Sequence, residues 1–375
     1  MLHLRTFPPC LLIFLISHLQ TALASTDLQV RSNLNTGPNG STFLWLPQDE
    51  YSGSSFFDRW DFFTDDDPTH GIVKLRISYT TKEDAFATGL AFVRGDGTVI
   101  MQGDNTTQLN QGVPRRSVRI SSKAQYNGGL FILDLDKAPW GCGIWPAFWT
   151  LGAGNWPYTG EVDIIEGVHD NEHNQVAFHT APGCLLNPNA TFTGTVVTRD
   201  GQNSTQCNGL INDNSGCAIV EWSRASYGPF FDSQGGGVFA MKWDDEGIAV
   251  WSFYRQAIPT DINQGSPDPS KWGPPVAALD PAGCDINQYF ANHSIIFDIT
   301  FCGDWAGNSY ASTTCPGTCE QRLMDPNNFV VSLLFCMPLD YKLILTECDM
   351  DYQQPESVQE AVIDWDGYRQ GLPEV

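Results

Sequence analysis

The residues best suited to chemistry sit together in "GEVDIIEG", Gly160 to Gly167. Glu161, Asp163 and Glu166 are separated by Val162, Ile164 and Ile165, and no Lys or Arg lies in the stretch to neutralise them. Alternate residues of a strand share a face. Glu161 and Asp163 therefore point together, with Cα atoms roughly 6–7 Å apart from the rise per residue. Glu166, five places after Glu161, would point to the other face of a regular strand. One extra residue in a β-bulge, placed at Ile164-Ile165, turns it back, and bulges are common beside active sites. Three acids on one face are the parts for retaining glycoside hydrolysis. One carboxylate attacks the anomeric carbon, and another, about 5–5.5 Å away, protonates the leaving oxygen and later activates water. Crowding by like charge raises the pKa of the group that must keep its proton. Asp163, between the two, can hydrogen-bond the nucleophile and couple both titrations.

The plainer account of three acids is a solvated strand face, with Val162 and Ile164 in the core. The surroundings favour a saccharide cleft. Trp145, Phe148 and Trp149 precede the stretch, and Trp156 lies just before it. Sugar rings stack on indoles, so a glycan cleft needs Trp beside its carboxylates. Trp145 shares the parity of Trp149, which leaves one of the two open to a structural role. "QVAFHT", Gln175 to Thr180, reads as a neighbouring strand that brings His179 near the acids, where it could hydrogen-bond the acid/base or the sugar.

Short strands must position these groups. "GLAFVR" and "TVIMQ" flank Gly95-Asp96-Gly97, and "GGVFAMKW" and "IAVWSFYR" flank Asp244-Asp245-Glu246-Gly247, two hairpin signals. "SVRISS", "GGLFILDLD", "GIWPAFWTLG" and "SIIFDITF" are further strands. With 35 Gly, 23 Pro and no long charged amphipathic stretch in 375 residues, the chain reads as all-β and antiparallel, in two packed sheets.

Residues 1–24 read as a secretory signal: Arg5, the apolar "CLLIFLISHL", then Ala22-Leu23-Ala24. The apolar run is short for a membrane span. Five sequons follow, at Asn39, Asn105, Asn189, Asn203 and Asn292, as in a glycosylated, secreted, extracellular protein. Eleven Cys become ten once Cys10 leaves with the signal, an even number in an oxidising compartment, so disulfides are expected. No cluster has convincing metal-site spacing. The formal charge of −23 becomes −24 without Arg5, which argues against nucleic-acid and anionic-membrane partners. No nucleotide-binding glycine loop is present. The mature chain is expected to act as a monomer.

These residues carry a family resemblance. "GEVDIIEG" is similar to the Glu-x-Asp-x-x-Glu signature of glycoside hydrolase family 16 in its bulged, laminarinase-type form. "YSGSSFFDRWDFFTDDDPTHG", "RRSVRISSKAQYNGGLFILDL", "GCGIWPAFWTLGAGNWPYTGEVDIIEGVHD", "VAFHTAPGC" and "FCGDWAG" resemble, in order, blocks of the fungal endo-β-1,3(4)-glucanases of that family. The resemblance runs from about residue 40 to about residue 329. It implies a concanavalin A-like β-jelly-roll sandwich with a concave glycan cleft. It also implies endo-cleavage of β-1,3- or mixed β-1,3/1,4-glucan with retention, and no cofactor. By the same resemblance Glu161 is the nucleophile, Glu166 the general acid/base and Asp163 the helper acid. Trp149, Trp156 and His179 line the cleft, and Trp305 is a further sugar platform. A structural Ca²⁺, carried by some relatives, is not assignable here. A wall-remodelling transglycosylase and a non-catalytic, lectin-like glucan binder are the alternatives, and the linkage preference stays open.

The resemblance fails after "DPNNFV". "VSLLFCMPLDYKLILTECDM" stands where the family has a Tyr/Trp-rich closing strand, and reads like foreign sequence, such as a translated intron. An acidic stretch follows from Glu347 to Val375. The expected division is a signal at 1–24, a catalytic domain at 25–335 and an atypical, poorly ordered tail at 336–375. Without its closing strand the sheet would have an exposed edge and an incomplete core, and the chain would secrete poorly. Cys336 and Cys348 would then stand outside the family set, leaving eight Cys for four pairs.

Overall fold

The structure is a computed structural model, and it describes residues 35–37, 40, 42–65, 77–187, 189–329, 334–338 and 343–349. The expected signal at 1–24, the sequon at Asn39 and the acidic stretch beyond 349 lie outside the described residues. The chain divides into two units. Trp45–Glu347 carries the sheets described below. In the other unit, Met1–Leu44 with Cys348–Val375, Asn35 and Thr36 pair antiparallel with Phe43 and Thr42.

In chain order the strands that build and flank the site begin with β1 (Trp60–Phe62), β2 (Arg119–Ser122), β3 (Gly129–Leu135) and β4 (Ile144–Gly152). Next come β5 (Glu161–Glu166), β6 (Gln175–His179), β7 (Thr195–Val196), β8 (Cys217–Val220) and β9 (Gly237–Asp244). The last are β10 (Gly247–Tyr254), β11 (Ala277–Leu279), β12 (His293–Phe301), β13 (Leu334–Met337) and β14 (Leu343–Asp349). One sheet is ordered β7–β8–β6–β5–β4–β12–β2–β1 and is antiparallel throughout. The facing sheet contains the antiparallel run β14–β3–β9–β10–β11. The architecture is the expected all-β antiparallel sandwich. One small pair departs from it, since Ile77–Tyr79 runs parallel to Arg115–Ser117.

Two-residue alternation sorts the side chains of the central strands. Phe148 of β4 sits opposite Phe297 of β12, and their rings lie 4.7 Å apart between the sheets. Val162 of β5 and Phe178 of β6 join them, against Leu133 of β3 and Met241 of β9. Each such side chain taken out of water contributes about 1.5–3 kcal/mol. The intervening residues of β4, Trp145, Ala147 and Trp149, look away from this core and form the floor of a cleft. Both expected hairpins are present, Ala91–Val93 with Val99–Gln102 and β9 with β10.

The C-terminal segment differs from the expectation. Residues of the stretch that reads as foreign do enter sheets. β13 pairs with Val99–Gln102, and β14 pairs with β3 through Ile344, Leu345 and Thr346. Phe335 is fully buried, edge-on to Phe297 at 5.4 Å. Hydrophobicity accounts for this: Phe335, Cys336 and Met337 are buried without the family's aromatic pattern. Among the described residues, four disulfides join Cys142–Cys315, Cys184–Cys284, Cys207–Cys217 and Cys302–Cys319, the eight Cys expected to pair, while Cys336 is a buried free thiol.

Candidate active site

The acid strand β5 is bracketed by two glycines for steric reasons. Gly160 has φ +81°, and a Cβ there would sit 2.4 Å from the Phe290 ring. A Cβ on Gly167 would meet the Tyr227 ring at 2.8 Å. Between them the register on β4 shifts: Leu151 faces Glu161, Thr150 faces Val162 and Trp149 faces Asp163, but Phe148 faces Ile165 and Ala147 faces Glu166. Ile164 is the extra residue of a bulge, where the sequence places it. The bulge sends both Ile164 and Ile165 into the core. It leaves Glu161, Asp163 and Glu166 all lining one cavity, at 8, 3 and 9 % exposure.

Burying three acids together requires donors around them. Trp156 Nε1 donates to Glu161 Oε2 at 2.8 Å. Trp145 Nε1 donates to Glu166 Oε1 at 2.7 Å. His179 faces Glu161 across the β5–β6 ladder, with Nε2 at 3.1 Å from Asp163 Oδ2 and 3.8 Å from Glu161 Oε1. Each indole hydrogen bond to a buried carboxyl contributes about 1–3 kcal/mol. Glu161, Asp163 and His179 also offer ligand atoms within 4.8 Å of one another, and among the described residues this is the one such group spaced for a metal ion. It coincides with the acids themselves.

Sequence parity could not separate the two β4 indoles, and the structure divides their work. Trp145 holds Glu166. Trp149 lines the cleft but is only 1 % exposed, with its Nε1 donating to Asp298 Oδ1 at 2.7 Å and the Arg119 guanidinium 5.0 Å from its ring. It forms part of the floor and exposes almost no ring surface on which a sugar could stack. Trp156 and Trp305 are more open and also line the cleft. Trp305 packs edge-on to Trp145 at 5.9 Å. Its loop is fastened by Ser309, whose Oγ donates to the Trp305 carbonyl at 2.6 Å and meets His169 Nε2 at 3.1 Å.

Asn174, which no motif singles out, is the residue the sequence reasoning missed. It is fully buried just before β6. Its Oδ1 accepts from the Glu166 backbone N–H at 2.9 Å, and its Nδ2 donates to the Ile164 carbonyl at 2.8 Å. Unpaired, each of these buried backbone groups would cost about 1–3 kcal/mol. Behind Glu166, Tyr227 is fully buried, and burial together with the charges of Asp232 and Glu166 holds its phenol well above its ordinary pKa. It stays neutral beside the acid.

The cleft holds about 710 Å³. Trp305, Asn308, Arg199, Asp213 and Ser215 also line it. Indoles beside clustered carboxylates, with polar groups elsewhere in the lining, suit a neutral polyhydroxylated ligand better than an anionic one.

Comparison with known proteins agrees with this chemistry. The family described as the XgeA-like, catalytic GH16 domain matches residues 60–333. A Schizosaccharomyces pombe protein named "Probable glycosidase C21B10.07" is 44 % identical over 283 residues, covering 75 % of this chain and 65 % of that protein. The chain thus spans less than two thirds of that relative. Among solved structures, laminarinase 16A of Phanerochaete chrysosporium, with β-glucans in its donor and acceptor sites, is 35 % identical with a TM-score of 0.73. The match covers 81 % of this chain and 99 % of that one. A second, described as an elongating GH family 16 β-1,3-glucosyltransferase, is 37 % identical with a TM-score of 0.72, covering 81 % of this chain and all of that one.

Proposed function

The chain belongs to glycoside hydrolase family 16, and from that premise we propose that it is a retaining endo-β-glucanase acting on β-1,3- and/or mixed β-1,3/1,4-glucan. The observation that carries the reading is the bulge at Ile164, which turns three buried carboxylates into one cleft with an indole donor on each outer one. A glucan chain lies along the cleft with one glycosidic bond over β5. A Glu161 carboxylate oxygen attacks the anomeric carbon as the bond to the leaving oxygen breaks, and Glu166 gives that oxygen its proton. Water then attacks the glycosyl-enzyme, Glu166 takes up its proton, and Glu161 is released. Asp163, held by His179, adjusts the charge that Glu161 feels. Trp156 and Trp305 offer sugar-stacking faces, while Trp149 supports the floor.

The reading places the activity outside the cell, in a monomeric catalytic domain at residues 25–335. It is tested with laminarin, lichenan and cellulose, using wild type and Glu161→Ser. The variant should lose nearly all turnover yet still bind glucan. Equal turnover by both proteins would refute the assignment. The anomer first released, followed by NMR, should retain the β configuration.

One comparison favours a second reading. The similarity to a β-1,3-glucosyltransferase is as high as that to the laminarinase. The same acids serve transfer if a sugar hydroxyl replaces water. A time course of laminarioligosaccharide products separates the two, since transfer builds chains longer than the substrate.

A further inference from the structure

We propose that Asn174 is a positioning residue for this reaction, its side-chain carboxamide standing in for a missing peptide of the β-ladder and fixing how Glu166 leaves the bulge. The inference rests on the roles proposed above for Glu161 and Glu166.

The ladder between β5 and β6 has three register pairs, Glu161 with His179, Val162 with Phe178 and Asp163 with Ala177, and then stops at the bulge. On the other edge of β5 the pairing with β4 continues through Ile165 and Glu166. The bulge therefore leaves backbone groups facing β6 without a ladder partner. Asn174 meets two of them: Nδ2–H reaches the Ile164 carbonyl, and Oδ1 receives the Glu166 N–H. A ladder peptide offers the same donor and acceptor. A side-chain carboxamide carries both on one uncharged planar group.

The clamp is itself held. The Asn174 N–H donates to Ser226 Oγ at 3.0 Å, and its carbonyl accepts from the Glu221 N–H at 2.9 Å. Glu166 is thus fixed at two points, its backbone by Asn174 and its carboxylate by Trp145. Protonating a leaving oxygen needs both. Displacing a catalytic group by 1 Å costs about 10²-fold in rate.

The test compares kcat/KM on laminarin with kcat/KM on a 2,4-dinitrophenyl β-laminaribioside. Both report the steps through bond cleavage to the glycosyl-enzyme. In both, Glu161 bonds to the anomeric carbon and the electron pair leaves on oxygen. Only the glucan oxygen needs a proton from Glu166, because dinitrophenolate departs as the anion. Asn174→Ala should fall roughly 10–100-fold on laminarin and stay near wild type on the aryl glycoside. Asn174→Asp keeps an acceptor for the Glu166 N–H but loses the donor to Ile164, and should show a smaller split of the same sign. Rates are taken per folded molecule, and if the Ala variant does not fold, Asn174→Asp and Asn174→Ser carry the comparison. Glu166→Gln should give the same split, and Glu161→Gln should lose both substrates. Equal losses on both substrates for the Asn174 variants, beside a split for Glu166→Gln, overturn the inference and leave the proposed function standing. No split for Glu166→Gln overturns the role of Glu166, and the inference falls with it.

Discussion

The indole nitrogen of Trp145 lies 2.7 Å from Glu166 Oε1, and that of Trp156 lies 2.8 Å from Glu161 Oε2. The two outer carboxylates are thus served by different indoles from different segments. One is near the start of β4, the other in the turn before β5. An N–H donor in a water-poor cleft fixes a carboxyl group's direction.

Trp145→Phe and Trp156→Phe remove one donor each and keep an aromatic ring in place. Losing a hydrogen bond that holds a buried carboxyl costs about 1–3 kcal/mol, so kcat/KM on laminarin should drop roughly 5–100-fold. The two variants should respond differently to an activated aryl glycoside. Trp145→Phe should recover, because its lesion sits at the acid. Trp156→Phe should not, because its lesion sits at the nucleophile. Steady-state kinetics on both substrates checks this, and identical behaviour would contradict the division of roles.

Glu221 is a buried carboxyl outside the site, hydrogen-bonded by Ser252. Burial pushes its pKa from 4.5 up to about 7. A raised acid adds stability at pH values below 4.5, and that stability is lost as pH climbs through 7. The loss is on the order of 3 kcal/mol from a shift of this size. Glu221→Gln cannot ionise. Whatever its baseline, its stability relative to wild type should improve as the buffer moves from pH 4.5 to 8. Urea melts across that range measure the difference, and a constant offset would show that Glu221 titrates normally.

His293 works in the opposite sense. It is fully buried, with Nε2 at 2.8 Å from the Thr159 carbonyl and Nδ1 at 2.9 Å from Thr150 Oγ1. Nε2–H must donate to the carbonyl, so Nδ1 accepts from the hydroxyl and the neutral ring is satisfied on both sides. Burial lowers its pKa from 6.5 to about 4. The unfolded chain takes up a proton below 6.5 that the folded chain refuses down to about 4, so stability falls as pH drops through that window. His293→Gln should be less stable at neutral pH but flatter between pH 6.5 and 4. An unchanged slope would remove His293 from the account.

Phe335→Ala tests the C-terminal segment. If β13 completes the core as placed, deleting a fully buried ring should cost about 3–5 kcal/mol and lower the melting temperature of the protein. A melt unchanged by the substitution would mean that residues 334–337 contribute nothing to the core. It would restore the expectation of an open sheet edge.

The sequence by itself determined the local part of this design. Strand periodicity and a five-residue offset are enough to put Glu161, Asp163 and Glu166 on one face and to locate the bulge at Ile164-Ile165. The short connection to "QVAFHT" is enough to bring His179 beside them. Two-residue parity says which side a side chain takes, but not what it meets there. Only the tertiary structure assigned Trp145 to Glu166 and Trp149 to Asp298, because the choice depends on the register of β4 against β5 and β12. Phe335 was illegible for a related reason, since an apolar run without alternation gives no sign of the gap it fills. Asn174 was equally so. Its partners are backbone groups freed by a bulge on another strand, and backbone carries no letter in the sequence to point to them.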